Sequence, residues 1–351
     1  MVKQKTKIIK IGKIKIGGGL PIRIQSMTNT HTWDIKKTIK QIRELENAGC
    51  EIIRVGIPDL KSAQAIKEIK KQINIPLVAD IHFSDKLALE SIKQGADKIR
   101  INPGNFPKKA LKEIVDLAKK KNISIRIGIN SGSLEKDILG ERKKATAEMM
   151  VKSAMRSIKS IEKLGFKNLV ISLKAPDVLR TVKAHELLSK KTNYPIHLGI
   201  TEAGTDFSGT IKSSIGIGYL LLKGIGDTIR VSLSADPVKE VSVAWEILKS
   251  LELREKGVKI VSCPTCSRAK IDVIKIAKEI EKLTALTKKS VKISVMGCTV
   301  NGLGEGKESA LAIVGSGNSL TLLMKNGKII KRGKKLKILK EFKKEIAKID
   351  K

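Results

Sequence analysis

From residue 22 onward the chain alternates short apolar, β-branched runs with helical patterns eight times, and this alternation restricts the fold more than any other feature. The expected strands span 22–27, 51–57, 76–81, 98–102, 124–129, 168–173, 195–201 and 228–233. Between the first two, Ile35, Ile39, Ile42 and Leu45 recur at the helical period, and Gly49 supplies a stop. Strands that are apolar on successive positions need cover on both faces, which a parallel sheet with crossover helices provides. Eight such units predict a TIM (β/α)8 barrel. The other fold considered, an open doubly wound sheet, needs a glycine fingerprint after its first strand to take a nucleotide. Gly216-Ile-Gly218 and Gly224-Ile-Gly226 lack the third glycine. Residues 1–21, with isoleucines at alternate positions and Gly17-Gly-Gly19, read as a hairpin placed to plug the barrel's N-terminal end.

Chemistry in such a barrel sits at the C-terminal ends of the strands, so what each strand ends in is informative. Here the ends carry Arg54, Arg100, Arg126, Lys174 and Arg230, with Asn130, Ser232, Asp80, His82, His197 and Glu202 among them. A guanidinium embedded in an apolar strand costs several kcal/mol by rough estimate unless an anion meets it. For any one of these cations, a strand-end acid such as Asp80 is partner enough. Five in register call for a shared anion, and arginine's planar fork suits phosphate oxygens, which makes a diphosphate the natural ligand. His82 and His197 read as structural groups. Glu202, just past the seventh strand beside these cations, is placed to give a proton to a leaving oxygen.

A polar stretch, 252–257, reads as a linker between a barrel domain, 1–252, and a smaller α+β domain, 258–351. Three of the four cysteines fall in this second domain, as Cys263-Pro-Thr-Cys266 and Cys298, each after a short apolar run. A Cys-x-x-Cys turn and a third cysteine on a neighbouring strand supply three ligands of an iron-sulfur cluster or of a zinc site. All four histidines lie upstream, so a closed zinc site lacks its fourth ligand. Asn301-Gly-Leu-Gly304 reads as a flexible turn that brings Glu305 back toward the metal as an exchangeable oxygen ligand. Cys50, after Ala48-Gly49, reads as a buried small residue.

Met296-Gly-Cys-Thr-Val-Asn-Gly-Leu-Gly-Glu305 and Ser262-Cys-Pro-Thr-Cys-Ser-Arg268 resemble the cluster motifs of the 4-hydroxy-3-methylbut-2-enyl diphosphate synthase family. Gln25-Ser-Met-Thr-Asn-Thr30, Arg54-Val-Gly-Ile-Pro58, Val78-Ala-Asp-Ile-His-Phe83, Arg100-Ile-Asn-Pro-Gly-Asn105, Arg126-Ile-Gly-Ile-Asn130 and Thr201-Glu-Ala-Gly204 are similar to further family blocks in the same order. Leu303 stands where the family usually has proline, and Pro176 interrupts a usual Lys-Ala-Ser-Asp. The resemblance implies a sulfite/nitrite reductase-like second domain and a [4Fe-4S] cluster on Cys263, Cys266, Cys298 and Glu305. It places a cyclic diphosphate on Arg54, Arg100, Arg126, Asn130, Lys174, Arg230 and Ser232, with Asn301 also at the substrate. It further implies reduced flavodoxin or ferredoxin as electron donor, and a head-to-tail homodimer in which each cluster domain caps the partner's barrel.

Composition bears on the competing class. With 70 Lys and Arg against 35 Asp and Glu, the net charge of +35 is a footprint that a zinc-bearing, nucleic-acid-binding protein would also carry. Against that reading, aromatic residues are only 3% of the chain, so stacking platforms are scarce, and the lysines are spread along most helix faces. The Cys-x-x-x-Cys-x-x-Cys run of radical S-adenosylmethionine enzymes is absent. No apolar run approaches the ~20 residues of a membrane span. The N-terminal segment has no apolar signal region, and few cysteines fit a reducing compartment, so a cytoplasmic protein is expected.

Overall fold

The computed structural model describes residues 4–285, 287, 289–317 and 320–349. The first three residues of the expected hairpin segment, and the last two of the expected second domain, lie outside them. The chain divides into two compact units, one ending at Arg254 and the other beginning at Glu255.

In the first unit a small hairpin, β1 (Ile9–Ile11) and β2 (Ile14–Ile16), precedes the barrel and turns at Gly12-Lys13 rather than at the three consecutive glycines. The barrel then runs β3 (Arg23–Met27), α1 (Ile35–Ala48), β4 (Ile52–Gly56), α2 (Leu60–Lys71), β5 (Leu77–Asp80), α3 (Asp85–Lys93), β6 (Lys98–Ile101) and α4 (Lys108–Lys120). It continues with β7 (Ser124–Asn130), α5 (Lys136–Leu139), α6 (Ala147–Lys163), β8 (Leu169–Lys174), α7 (Val178–Ser189), β9 (His197–Leu198), α8 (Asp206–Leu222), β10 (Thr228–Ile229) and α9 (Pro237–Ser250). The eight strands from β3 to β10 form one parallel sheet, and a bridge between Ile171 and Ile196 brings its two edges together.

Local chemistry sets these elements. At α1, the Asp34 carboxylate accepts the Lys37 amide at 3.2 Å, Ile39, Ile42 and Leu45 are buried, and Gly49 takes φ 101° to end the helix. The last helix is tied to the first by Trp245 Nε1, which donates to the Gly49 carbonyl at 3.1 Å. Isoleucines 9, 11 and 16 of the hairpin pack on Ile52, Val78 and Val170, inward residues of β4, β5 and β8, so the hairpin does plug the barrel floor. Two strands are shorter than expected. Beyond Leu198 the backbone runs so close to its neighbour that a Cβ on Gly199 would stand 2.6 Å from the Arg230 carbonyl oxygen. The regular ladder of β9 and β10 stops there, and Arg230 lies just outside β10.

The second unit is built on a five-stranded sheet in chain order. It comprises β11 (Val258–Ser262), α10 (Val273–Thr284), β12 (Val291–Met296), α11 (Thr299–Lys307), β13 (Leu311–Gly315), β14 (Leu320–Lys325), β15 (Lys328–Lys334) and α12 (Lys335–Ile346). The first three strands are parallel and the last two antiparallel. Ile276, Ile280, Ile338 and Phe342 of α10 and α12 cover one face, over Ile293, Val295 and Ile313.

Candidate functional site

Side chains alternate along a strand, so residues two apart share a face. Arg54 near the end of β4, Asp80 ending β5, Arg100 on β6, Arg126 on β7 and Lys174 ending β8 all lie on the inward face toward the C-terminal mouth, and all are buried. Asp80 is the acid among them. Its Oδ1 lies 3.4 Å from Arg100 Nη1 and its Oδ2 lies 3.8 Å from Arg54 Nε. Burial pushes this carboxyl up, but Arg54, His82 and Arg100 outweigh it and hold the group well below the usual carboxylate range. Arg100 also donates to the Gly128 carbonyl at 3.1 Å, and both ring nitrogens of His82 lie within 3.3 Å of Arg100 Nη1. Arg126 reaches Gln25 Oε1 at 3.4 Å.

Arg230 has an acid of its own, which the sequence reading missed. Glu240 on α9 is buried, accepts the Leu233 amide at 2.9 Å, and faces Arg230 Nη2 with both oxygens at 3.5 Å. Its signal was legible: a carboxylate inside the stripe of Val241, Ala244, Ile247 and Leu248 has no apolar reason to be there. Two glycines were missed for a related reason. A Cβ on Gly128 would meet Arg100 Nε at 2.1 Å, and one on Gly199 would meet Lys174 Nζ at 2.7 Å. Each leaves room for a cationic side chain to lie across its strand.

Among the described residues five cations thus face two carboxylates, and the imbalance shows in their protonation. Burial, then the neighbouring Arg54 and Arg230, pushes the Lys174 ammonium well below the ordinary lysine value. Burial likewise lowers Arg54 to about 10, against the pull of Asp80. Asn130, ending β7, and Ser232, three residues beyond β10, stand half-buried. Glu202 is exposed beyond β9 and takes φ 50°, an uncommon conformation for a residue with a side chain. His197 is fully buried deeper in the barrel, bonded through Nδ1 to Thr228 Oγ1 at 2.8 Å. Cys50 is buried, donates to the Ile52 carbonyl, and has its thiol pushed up to about 12 by burial, so it is inert.

In the second unit, Cys263 follows β11 and Cys298 follows β12, adjacent parallel strands paired from Val258–Val291 to Ser262–Val295. The Gly297 amide donates to Cys263 Sγ at 3.1 Å. Cys298 is the N-cap residue of α11, and Cys266 is exposed. All three thiols are free. Among the described residues, no three His, Cys, Asp or Glu side chains are gathered as a metal-binding group.

The expected turn at 301–304 is instead helix. Asn301, Leu303 and Glu305 all belong to α11, because Gly302 and Gly306 let that helix lie close on the sheet: a Cβ on either would meet Val314 or Met324 within 2.4 Å. Cys298 and Glu305 are seven residues apart, two helical turns, and so share a side of the helix about 10 Å apart along its axis. The Glu305 carboxylate is on Lys292 Nζ at 3.1 Å, at the start of β12, while Cys298 follows that strand's end. Lys292, bonded also to Glu308 at 3.0 Å, is a neighbour of Glu305 that the sequence did not reveal. Asn301 is exposed.

Residues 6–245 match the model of the GcpE TIM-barrel domain and residues 259–348 that of the GcpE protein C-terminal domain. The chain is 57% identical over 345 residues to the 4-hydroxy-3-methylbut-2-en-1-yl diphosphate synthase (flavodoxin) of Caldanaerobacter subterraneus, covering 98% of this chain and 97% of that protein. It is 51% identical to the Clostridium acetobutylicum protein of the same name, covering 99% of each. Among solved structures, dihydropteroate synthases share the barrel alone. That from Stenotrophomonas maltophilia superposes with a TM-score of 0.54 at 12% identity, over 70% of this chain and 98% of its own. With both family models matched and relatives at 51% and 57% identity over nearly its whole length, the chain belongs to the GcpE family.

Proposed function

We propose that this protein catalyses the reductive ring opening and dehydration of 2-C-methyl-D-erythritol 2,4-cyclodiphosphate to 4-hydroxy-3-methylbut-2-enyl diphosphate, a step of isoprenoid biosynthesis. The substrate takes up two electrons and two protons and releases one water. The observation that carries this reading is the barrel mouth itself, where, among the described residues, Arg54, Arg100, Arg126, Lys174 and Arg230 are met by only Asp80 and Glu240. A diphosphate supplies the missing negative charge in the geometry that guanidinium groups bind best. Asn130 and Ser232, at the same rim, offer hydrogen bonds to phosphate or hydroxyl oxygens. Glu202 projects from the rim in a conformation that only a supporting fold maintains, and it gives a proton to the departing oxygen.

Cys263, Cys266 and Cys298 would hold a [4Fe-4S] cluster, with Glu305 as its fourth, exchangeable ligand and Asn301 beside it. The donor set fits: the thiols are free, two follow neighbouring strands, one receives a backbone amide and one caps a helix. When bound, the cluster supplies electrons singly together with a Lewis-acidic iron. To serve as ligand the Glu305 carboxylate gives up Lys292. Reduced flavodoxin, with ferredoxin as the other one-electron carrier, is the donor, and the working compartment is the cytoplasm. No helix among the described residues is long and apolar enough to cross a membrane.

The two domains are proposed to run over 1–252 and 258–351, and the working unit is a head-to-tail homodimer. Each unit, taken by itself, leaves apolar side chains in water beside its functional residues: Trp33, Leu60 and Phe83 after barrel strands, Val300 and Leu303 on α11. Phe207, Ile211 and Ile215 add an exposed stripe along α8. The nucleic-acid reading gains nothing from the fold, since the strand-borne cations face the barrel's interior, where a duplex does not reach.

The test is turnover of the cyclic diphosphate by anaerobically purified protein with reduced flavodoxin, alongside metal analysis. About four irons per chain and formation of the butenyl diphosphate are expected. A colourless protein carrying one zinc and no turnover would discard the reading.

A further inference from the structure

Two residues below the mouth along the strands, the inward face of the barrel carries a second layer of polar side chains to which the reaction assigns no role. Lys98 lies two residues before Arg100 on β6, Ser124 two before Arg126 on β7, and Thr228 two before Arg230, so all share the inward face. Lys98 is paired in register with Ser124, and Thr228 with His197. Lys98, Ser124 and His197 are fully enclosed, and Gln25 and Arg126 are 1% exposed. Below them the floor is sealed by the isoleucines of the hairpin against Ile52, Val78 and Val170.

Five polar atoms in this enclosure have no hydrogen-bond partner: Lys98 Nζ, Ser124 Oγ, His197 Nε2, Gln25 Nε2 and Arg126 Nε. Buried polar groups are ordinarily satisfied, and an orphan costs about 1–3 kcal/mol, more when charged. Their chemistry is one-sided. The amide and guanidinium nitrogens only donate, and the hydroxyl, imidazole and lysine nitrogen can each donate as well, although burial, then Arg126 and Arg54, push the Lys98 ammonium well below the ordinary lysine value. The charges acting on Lys98 are Arg126 and Arg54, those acting on His197 are Arg126, Lys174, Lys98 and Arg54, and on Arg126 the acid Asp80 of the mouth is opposed by Arg54, Arg100 and Arg230. A water molecule has two lone pairs and leaves the positive charge uncompensated, whereas an anion accepts from every side and neutralises it.

We propose that the closed barrel interior beneath the mouth is a binding site for one small inorganic anion of halide size, held by Lys98, Ser124, His197, Gln25 and the Nε of Arg126. Solvent is excluded and the wall below is apolar, so the site favours a weakly hydrated monoatomic ion. Its role is to hold Lys98 charged and the arginine layer above it upright. Arg126 is shared with the mouth, while the tests below read anion binding and do not depend on the reaction assigned there.

Crystals grown from halide-free gluconate salts and soaked in sodium bromide test this directly at the bromine absorption edge. An anomalous peak beside Lys98 Nζ, below the Arg54–Arg100 layer, is the expected result. A water-only density at that position, or bromide confined to the mouth among Arg54, Arg100 and Arg230, would overturn the proposal. In solution, bromide added at constant ionic strength should raise the Tm of the wild-type protein along a saturating curve, and Lys98→Met should abolish that dependence. An equal bromide-induced shift in Lys98→Met would also overturn it. The wild-type crystal experiment decides the matter even where the variant does not fold.

Discussion

The Arg100 side chain occupies the space that any Cβ on Gly128 would need: the two would stand 2.1 Å apart, with Arg100 Nη2 bonded to the Gly128 carbonyl at 3.1 Å. The glycine on β7 is therefore what lets an arginine from β6 lie along the barrel wall, with Asp80 on its other side.

Gly128→Ala should accordingly displace Arg100 without touching the thiols. Loss of one charge-assisted hydrogen bond is worth roughly 1.5–3 kcal/mol, so affinity for the cyclic diphosphate should fall about tenfold to a hundredfold. Iron content should be unchanged. Calorimetric titration together with iron analysis checks both, and unaltered affinity would show that Arg100 does not meet the substrate.

Lys174 gives the mouth a pH dependence whose sign is fixed. Its ammonium is held well below the ordinary lysine value in the anion-free barrel by burial, then by Arg54 and Arg230, while a bound diphosphate favours the charged form. Affinity is therefore complete below the lowered value and is lost as the pH rises through it, within a range where a free lysine still holds its proton. Proton uptake on binding should appear in that window. In Lys174→Arg the decline should move to higher pH, and a flat profile for the wild type would contradict the assignment.

Glu305 and Lys292 are 3.1 Å apart, so in the proposed cluster site a cation and the cluster would compete for one carboxylate. Glu305→Cys should retain full iron content, since thiolate suits iron better than carboxylate, yet lose most turnover because its ligand no longer leaves. Glu305→Ala should keep the cluster on three thiolates with an oxygen-labile iron. Iron analysis and the decay of absorbance in air distinguish these outcomes. Wild-type turnover in Glu305→Cys would mean that the fourth position need not open.

Assembly has its own check. In a head-to-tail homodimer, mixing a Cys298→Ala chain with an Arg126→Ala chain leaves one of the two composite sites intact. Activity should reappear on mixing two inactive homodimers and track the heterodimer population. Verified heterodimers without activity would show that each chain completes its own site.

The barrel was legible because burial on both faces of a strand leaves a continuous apolar run, and an interrupting arginine stands out against it. Arg54, Arg100, Arg126 and Lys174 stood out by that contrast, and all four are buried; Cys263, Cys266 and Cys298 stood out by their spacing after such runs. Glu240 carried the same kind of signal on a helix, but its meaning depends on Arg230, ten residues away and just outside a different element. The linear pattern did not pair them.

Tertiary structure alone decided the rest. The run Asn301-Gly-Leu-Gly304 has the local chemistry of a turn, yet packing against Val314 and Met324 makes it helix, since glycine's lack of a side chain serves close approach as well as flexibility. That helix places Glu305 on Lys292, a relation across thirteen residues that no spacing rule contains. Lys98, His197 and Gln25 show the same limit: in the sequence they are a strand's first lysine, an isolated histidine and an amide, and only closure of the sheet puts their unsatisfied atoms inside one barrel. Patterns of burial propagate along the chain and can be read from it, whereas which polar groups meet depends on the curvature and register of eight strands at once.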